Sequence, residues 1–109
     1  MDLRSIPASA QEFVLRLSAL PQIERIVLFG SRASGDNEPR ADIDLAISAQ
    51  SLNRWQFARL RVDAFEARTL YWISLVHLEQ TPDALRERIN QQGVVLYERK
   101  KTAGQSDES

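Results

Sequence analysis

Ile26-Val27-Leu28-Phe29-Gly30-Ser31-Arg32, followed by Asp42-Ile43-Asp44-Leu45-Ala46-Ile47, is the stretch on which the fold turns. The β-branched and aromatic run 26–29 has the length and composition of a buried strand, and Gly30 stops it. Residues 30–41, GSRASGDNEPRA, are polar and carry two Gly and one Pro, which marks a loop or tight turn. Residues 42–47 begin by alternating acid and apolar, as a strand with one special face would. The link between the two strands is too short for a crossover helix, so they are expected to pair antiparallel.

Helical spacing dominates on either side of this pair. Ala10, Phe13, Val14 and Leu17 predict a helix over about 8–20, with Ser9 and Glu12 as a capping box and Pro21 beyond its last turn. Trp55, Ala58, Val62 and Phe65, with Arg54, Arg59 and Arg61 between them, predict an amphipathic helix over 52–67. Residues 70–78 read as a third strand. Thr81-Pro82-Asp83 reads as a helix start, with Thr81 as N-cap and Pro82 in the first turn. That helix runs to about Gln92 with Gly93 as its C-cap, and 94–97 form a last strand. The expectation is an α/β (α+β) fold: a mixed sheet of about four strands with helices packed against it. Residues 1–97 make one domain and the polar stretch 98–109 a disordered tail.

Composition narrows the function classes. The chain has 109 residues, of which 43% are apolar and 27% charged, as in ordinary globular proteins. Its 14 basic and 15 acidic residues nearly cancel, which speaks against a nucleic-acid-coating role. Without Cys there is neither disulfide nor thiolate zinc site, and the single His77 excludes a multi-histidine cluster. No apolar run approaches the roughly 20 residues of a membrane span, and the N-terminus lacks a signal-peptide core, so a cytoplasmic location is expected.

The chemistry lies in the quoted stretch. In a strand, residues i and i+2 project from one face, so Asp42 and Asp44 stand side by side, about 7 Å apart at Cα. Neighbouring carboxylates repel unless a cation sits between them. Magnesium is the obvious choice, being hard and usually held by one or two protein carboxylates plus phosphate oxygens. Gly30 lets backbone N–H groups approach an anion closely, and the Ser31 hydroxyl adds a donor. Arg32 is a candidate for further charge-assisted contacts to phosphate.

The run Val27-Leu28-Phe29-Gly30-Ser31-Arg32-Ala33-Ser34-Gly35-Asp36, with Ala41-Asp42-Ile43-Asp44-Leu45-Ala46-Ile47, resembles the signature of the minimal nucleotidyltransferases. These are small relatives of DNA polymerase β, kanamycin nucleotidyltransferase and poly(A) polymerase. Leu85-Arg86-Glu87-Arg88-Ile89 and Gly93-Val94-Val95-Leu96-Tyr97 look like that family's closing helix and strand. The resemblance implies a nucleotidyltransferase fold in which Gly30 and Ser31 contact the triphosphate of ATP or another NTP. It implies that Asp42 and Asp44 are the catalytic carboxylates holding two magnesium ions. The implied reaction transfers an NMP, AMP from ATP foremost, to a partner protein or small acceptor. It also implies a helical partner of the HEPN class in a toxin–antitoxin pair, within a homo- or hetero-oligomer.

The pattern departs from the family at one position. Where a third acid is expected on the next strand, Ile73-Ser74-Leu75-Val76-His77 carries Ser74. A Ser offers a neutral oxygen and no charge, so catalysis should be slow. Asp63, Glu66 and Glu79 are the nearest substitute acids in sequence, and His77 is a candidate base. The alternative function is a catalytically weak or inactive nucleotide-binding subunit that neutralises a HEPN-type partner by binding alone. Trp55, Tyr71 and Trp72 are candidates for either the partner interface or the core.

Overall fold

The computed structural model describes residues 1–35 and 38–100. Helix α1 (Ala8–Ser18) leads into β1 (Arg25–Phe29), a one-turn helix α2 (Ser31–Ser34) and β2 (Ile43–Ser48). Helix α3 (Arg54–Phe65) crosses to β3 (Ile73–His77); a 3₁₀ turn (Leu78–Gln80), α4 (Asp83–Gln92) and β4 (Val94–Glu98) follow. The sheet order is β3-β2-β1-β4. β1 pairs antiparallel with both β2 and β4, and β2 pairs parallel with β3. The expected mixed four-stranded sheet with packed helices is the fold observed.

Strand alternation divides the core into two layers. On one face Ile26, Leu28, Ile43, Leu45, Ile47, Ile73 and Leu75 pack with Phe13, Val14 and Leu17 of α1 and Phe57, Leu60 and Ala64 of α3. Each such fully buried side chain contributes about 1.5–3 kcal/mol relative to exposure. On the other face a smaller cluster joins Val27 and Ala46 to Leu78 and to Ile89 of α4. That second face carries Asp44 and Ser74, whose neighbours in sequence point into the larger core.

Several local expectations are corrected. The Ser9–Glu12 capping box does not form: Pro7 caps α1 with no side-chain bond, and Ser9 Oγ lies 2.8 Å from Thr69 Oγ1. A capping box does form at α3, where Gln56 N donates to Asn53 Oδ1 and Asn53 N to Gln56 Oε1. The stripe expected to bury on α3 is the wrong one. Trp55, Val62 and Phe65 are exposed, and Phe57, Leu60 and Ala64 face the sheet. The helix has apolar residues on two sides, and only one side can meet the sheet.

Thr81 does not cap α4. Pro82 occupies that position and Thr81 Oγ1 donates to the His77 carbonyl at 2.8 Å. The stretch 30–41, expected as loop throughout, contains α2. Strand β4 includes Glu98, and Arg99 N donates to Glu24 O at 2.8 Å, so ordered pairing continues past residue 97. The rest of the expected tail, 101–109, and Asp36 of the quoted motif lie outside the described residues.

Candidate functional site

The register of the β1–β2 pair sets Phe29 opposite Asp44, which brings the bend after β1 against the first turn of β2. Gly30 sits at φ +77°, ψ −156°, a conformation that a side chain strains against. A Cβ there would also lie 2.5 Å from Asp44 Oδ2, so any side chain at this position would displace the Asp44 carboxylate. Ser31 follows at the start of α2 and is exposed.

Asp42 immediately precedes β2 and is exposed, whereas Asp44 is half-buried. Burial pushes the Asp44 carboxyl above its ordinary range, and the neighbouring Asp42 charge pushes it further the same way. Neither carboxylate takes part in a hydrogen bond or salt bridge among the described residues. Ser74 is directly paired with Asp44 across the parallel β2–β3 ladder. The Gly30 bend, Asp44 and Ser74 thus occupy three adjacent strands at one end of the sheet. No group of three or more His, Asp or Glu suited to a metal exists among the described residues. Two carboxylates without donors among the described residues, beside a glycine bend, nevertheless have the chemistry to hold magnesium, whose shell phosphate oxygens and water would complete.

Arg32 has a different set of partners from phosphate. Its Nε and Nη2 donate to the Ala41 carbonyl at 3.0 and 2.8 Å, and Nη2 also donates to Pro39 O at 3.2 Å. The guanidinium lies 5.1 Å over the Tyr71 ring. It therefore ties α2 to the residues just ahead of Asp42 and to the approach to β3. Nothing in the local sequence signals this, because both partners are backbone carbonyls.

The substitute acids lie elsewhere. Asp63 pairs with Arg59 on α3 at 3.4 Å, and Glu66 is exposed at the C-cap of that helix. Glu79 accepts from Ser48 Oγ at 2.6 Å and Ala49 N at 2.9 Å, at the opposite end of β2. His77 is buried there too, stacked on Phe57 with ring centroids 4.3 Å apart. Its Nε2–H donates to Ala49 O at 2.9 Å. The pair Ile47–His77 is three residues along the ladder from Asp44–Ser74, about 10 Å away.

Two clefts include neighbours of Asp44, one Ser74 and the other Gly30. One, of about 310 Å³, runs along the exposed side of β3 and is lined by Arg61, Phe65, Leu70, Trp72 and Ser74 among others. The other, of about 400 Å³, lies between the Gly30 bend and α4. Trp55 and Trp72 are exposed and Tyr71 is partly buried, so the two tryptophans are not core residues.

A strand–Gly-Ser–strand unit presenting paired aspartates on a mixed sheet defines the nucleotidyltransferase class. Residues 13–102 match the family described as polymerase beta, nucleotidyltransferase, and the chain belongs to that family. No curated protein matches the sequence. Among solved structures, the chain is similar to a toxin–antitoxin crystallised with AMP-PNP: 26% identity over 90% of this chain and 77% of that one, TM-score 0.67. It is also similar to the complex of a tri-AMPylated Shewanella oneidensis HEPN toxin with its MNT antitoxin: 24% identity, 90% and 74% of the two chains, TM-score 0.57. A nucleotidyltransferase-like structure from Sulfolobus solfataricus matches at 22% identity over 84% and 79%, TM-score 0.57. At those identities the last two show the fold alone. No helix among the described residues is long and apolar enough to cross a membrane.

Proposed function

We propose that this chain is a magnesium-dependent nucleotidyltransferase that moves an NMP, AMP from ATP foremost, onto a hydroxyl of a HEPN-type partner protein. The observation that carries the reading is the pair Asp42 and Asp44, without donors among the described residues, with the glycine bend packed against Asp44. Gly30 and Ser31 hold the triphosphate through backbone N–H groups and a hydroxyl. Asp42 and Asp44 hold the metal, which supplies charge neutralisation at the phosphates when bound. The acceptor oxygen forms a bond to the α-phosphorus, the α–β bridging P–O bond breaks, and pyrophosphate leaves. Ser74 has no carboxylate to take the hydroxyl proton, so that proton passes to solvent and the step is slow.

The partner class draws support from two sides. The toxin–antitoxin crystallised with AMP-PNP is 26% identical over 90% of this chain. The surface beside Ser74 carries Leu70 at 97% exposure, Phe65 at 73% and Trp72 at 59%, more large apolar side chain than solvation favours. Phe65 and Trp72 meet edge to face at 5.8 Å, which makes a preformed aromatic patch.

The test is incubation of the chain and its partner with α-labelled ATP and magnesium. Label on the partner that disappears with Asp44→Asn supports transfer. Ser74 favours a second reading, in which the chain binds nucleotide weakly and neutralises the partner by covering it. A stable unlabelled complex, unchanged by Asp44→Asn, would replace the first reading with the second.

A further inference from the structure

The cleft between the Gly30 bend and α4 has Gly30 and Ser34 on one wall and Leu85, Arg88 and Gln92 on the other. Residues 85, 88 and 92 follow helical i, i+3, i+7 spacing and so share one face of α4. That face is pinned: Ile89 is buried against Val27 and Ala46, and a side chain at Gly93 would collide with Val27 and with the Ile89 carbonyl. Among the described residues, Arg88 is the one cationic side chain lining the cleft. Arg86 is paired with Asp83, and Glu87 accepts from Gln91. Arg88 itself makes no hydrogen bond or ion pair among the described residues. Arg32, the nearest cation in sequence to the bend, has Nε and Nη2 on the Ala41 and Pro39 carbonyls.

From this division we infer that Arg88 of α4 is the cationic ligand of the polyphosphate, reaching it across the cleft from Gly30. The inference rests on the nucleotide-binding reading above and adds to it a residue from the far end of the chain. A guanidinium suits this place because its planar fork can meet two phosphate oxygens at once. The ligand class is a nucleoside triphosphate or free polyphosphate, with AMP a poorer occupant.

The experiment measures magnesium-dependent binding of ATP, inorganic tripolyphosphate and AMP by calorimetry. The proteins compared are the full chain, Arg88→Gln, Arg88→Lys and Arg32→Gln, with thermal melting as the folding control. Arg88→Gln should melt like the parent, since Arg88 is exposed and makes no hydrogen bond or ion pair among the described residues. It should weaken ATP and tripolyphosphate about 10–100-fold, as loss of a charge-assisted contact does, and leave AMP within about threefold. Arg88→Lys should recover part of the loss. ATP affinity in Arg88→Gln within about threefold of the parent would overturn the inference, as would equal losses for ATP and AMP, which would mark a nucleoside contact instead. A larger ATP loss in Arg32→Gln than in Arg88→Gln, at unchanged melting temperature, would return the role to Arg32. A parent chain that binds neither ATP nor tripolyphosphate removes the nucleotide-binding reading itself, a result distinct from failure of the Arg88 variants alone.

Discussion

The two ends of the β2–β3 ladder each hold a carboxylate close to the sheet, and they treat it in opposite ways. At the C-terminal end, burial raises the Glu79 carboxyl, but hydrogen bonds from Ser48 and Ala49, with help from nearby His77, outweigh it and hold the group below its usual range. At the N-terminal end, Asp44 has burial and a like charge and no donor among the described residues, and its carboxyl stands above the usual range. A satisfied anion holds structure together. An unsatisfied one costs folding free energy unless a cation from outside the chain completes it. The contrast separates the residues near the sheet that look catalytic: His77 and Glu79 lie 3.5 Å apart and are held by neighbouring groups, whereas Asp42 and Asp44 make no hydrogen bond or salt bridge among the described residues.

The comparison can be broken first at Asp44. Asp44→Asn should lower transfer to the partner by about 10³-fold, the loss expected when a metal-holding charge is removed from a phosphoryl-transfer site. Retention of most activity in a labelled-ATP assay would mean that the two ends do not differ in function. Ser74→Asp sharpens the same end from the other side. It restores a carboxylate beside Asp44 and should raise the transfer rate by about 10²-fold, at the low end of what a general base contributes. An unchanged or lower rate would show that the missing acid is not what limits this chain.

Stability effects are smaller. Gly30→Ala should destabilise the fold by about 1–3 kcal/mol in urea melts, because it forces a side chain to positive φ and into Asp44. Glu79→Gln should cost roughly 1–2 kcal/mol, near the low end for charge-assisted hydrogen bonds since the Glu79 side chain is 30% exposed. It should leave transfer untouched, and a large drop in rate would erase the distinction between the two ends.

The smallest effect is in pH dependence, where the two carboxylates carry opposite signs. Glu79, with its lowered value, contributes stability above the ordinary carboxylate range that is lost as pH falls through its folded value. Asp44, with its raised value, contributes stability that is full below the ordinary range and lost as pH rises through its folded value. In metal-free buffer Asp44→Asn should therefore raise the melting temperature slightly at neutral pH, with the gain vanishing in acid. Magnesium should raise the melting temperature of the parent but not of the variant.

Much of this molecule is legible in the one-dimensional pattern because the physics involved is local. A β-branched run ended by Gly30, a short polar link and an alternating Asp-Ile-Asp start are sufficient for a hairpin with two acids on one face. Helical periodicity located α1 and α3, and start and stop signals located α4, to within a few residues. The failures are of another kind. Ser9 and Thr81 carry good capping chemistry, yet their hydroxyls are taken by Thr69 and by the His77 carbonyl. Helix α3 has two apolar stripes, and periodicity alone cannot say which one the sheet will cover.

The residues at the bend divide along the same line. Gly30, Asp42 and Asp44 announce themselves, since a glycine after a strand and acids at i, i+2 act through their own backbone geometry. The roles of Arg32 and Arg88 depend on which carbonyl or cleft a long flexible side chain meets, and those neighbours come from segments far apart in the chain. The distance of Gly30 from Asp44, the pairing of Ser74 with Asp44 and the approach of α4 to the bend were decided only when the sheet closed. Strand register and helix docking are collective properties of the packed core, and no stretch of sequence holds them on its own.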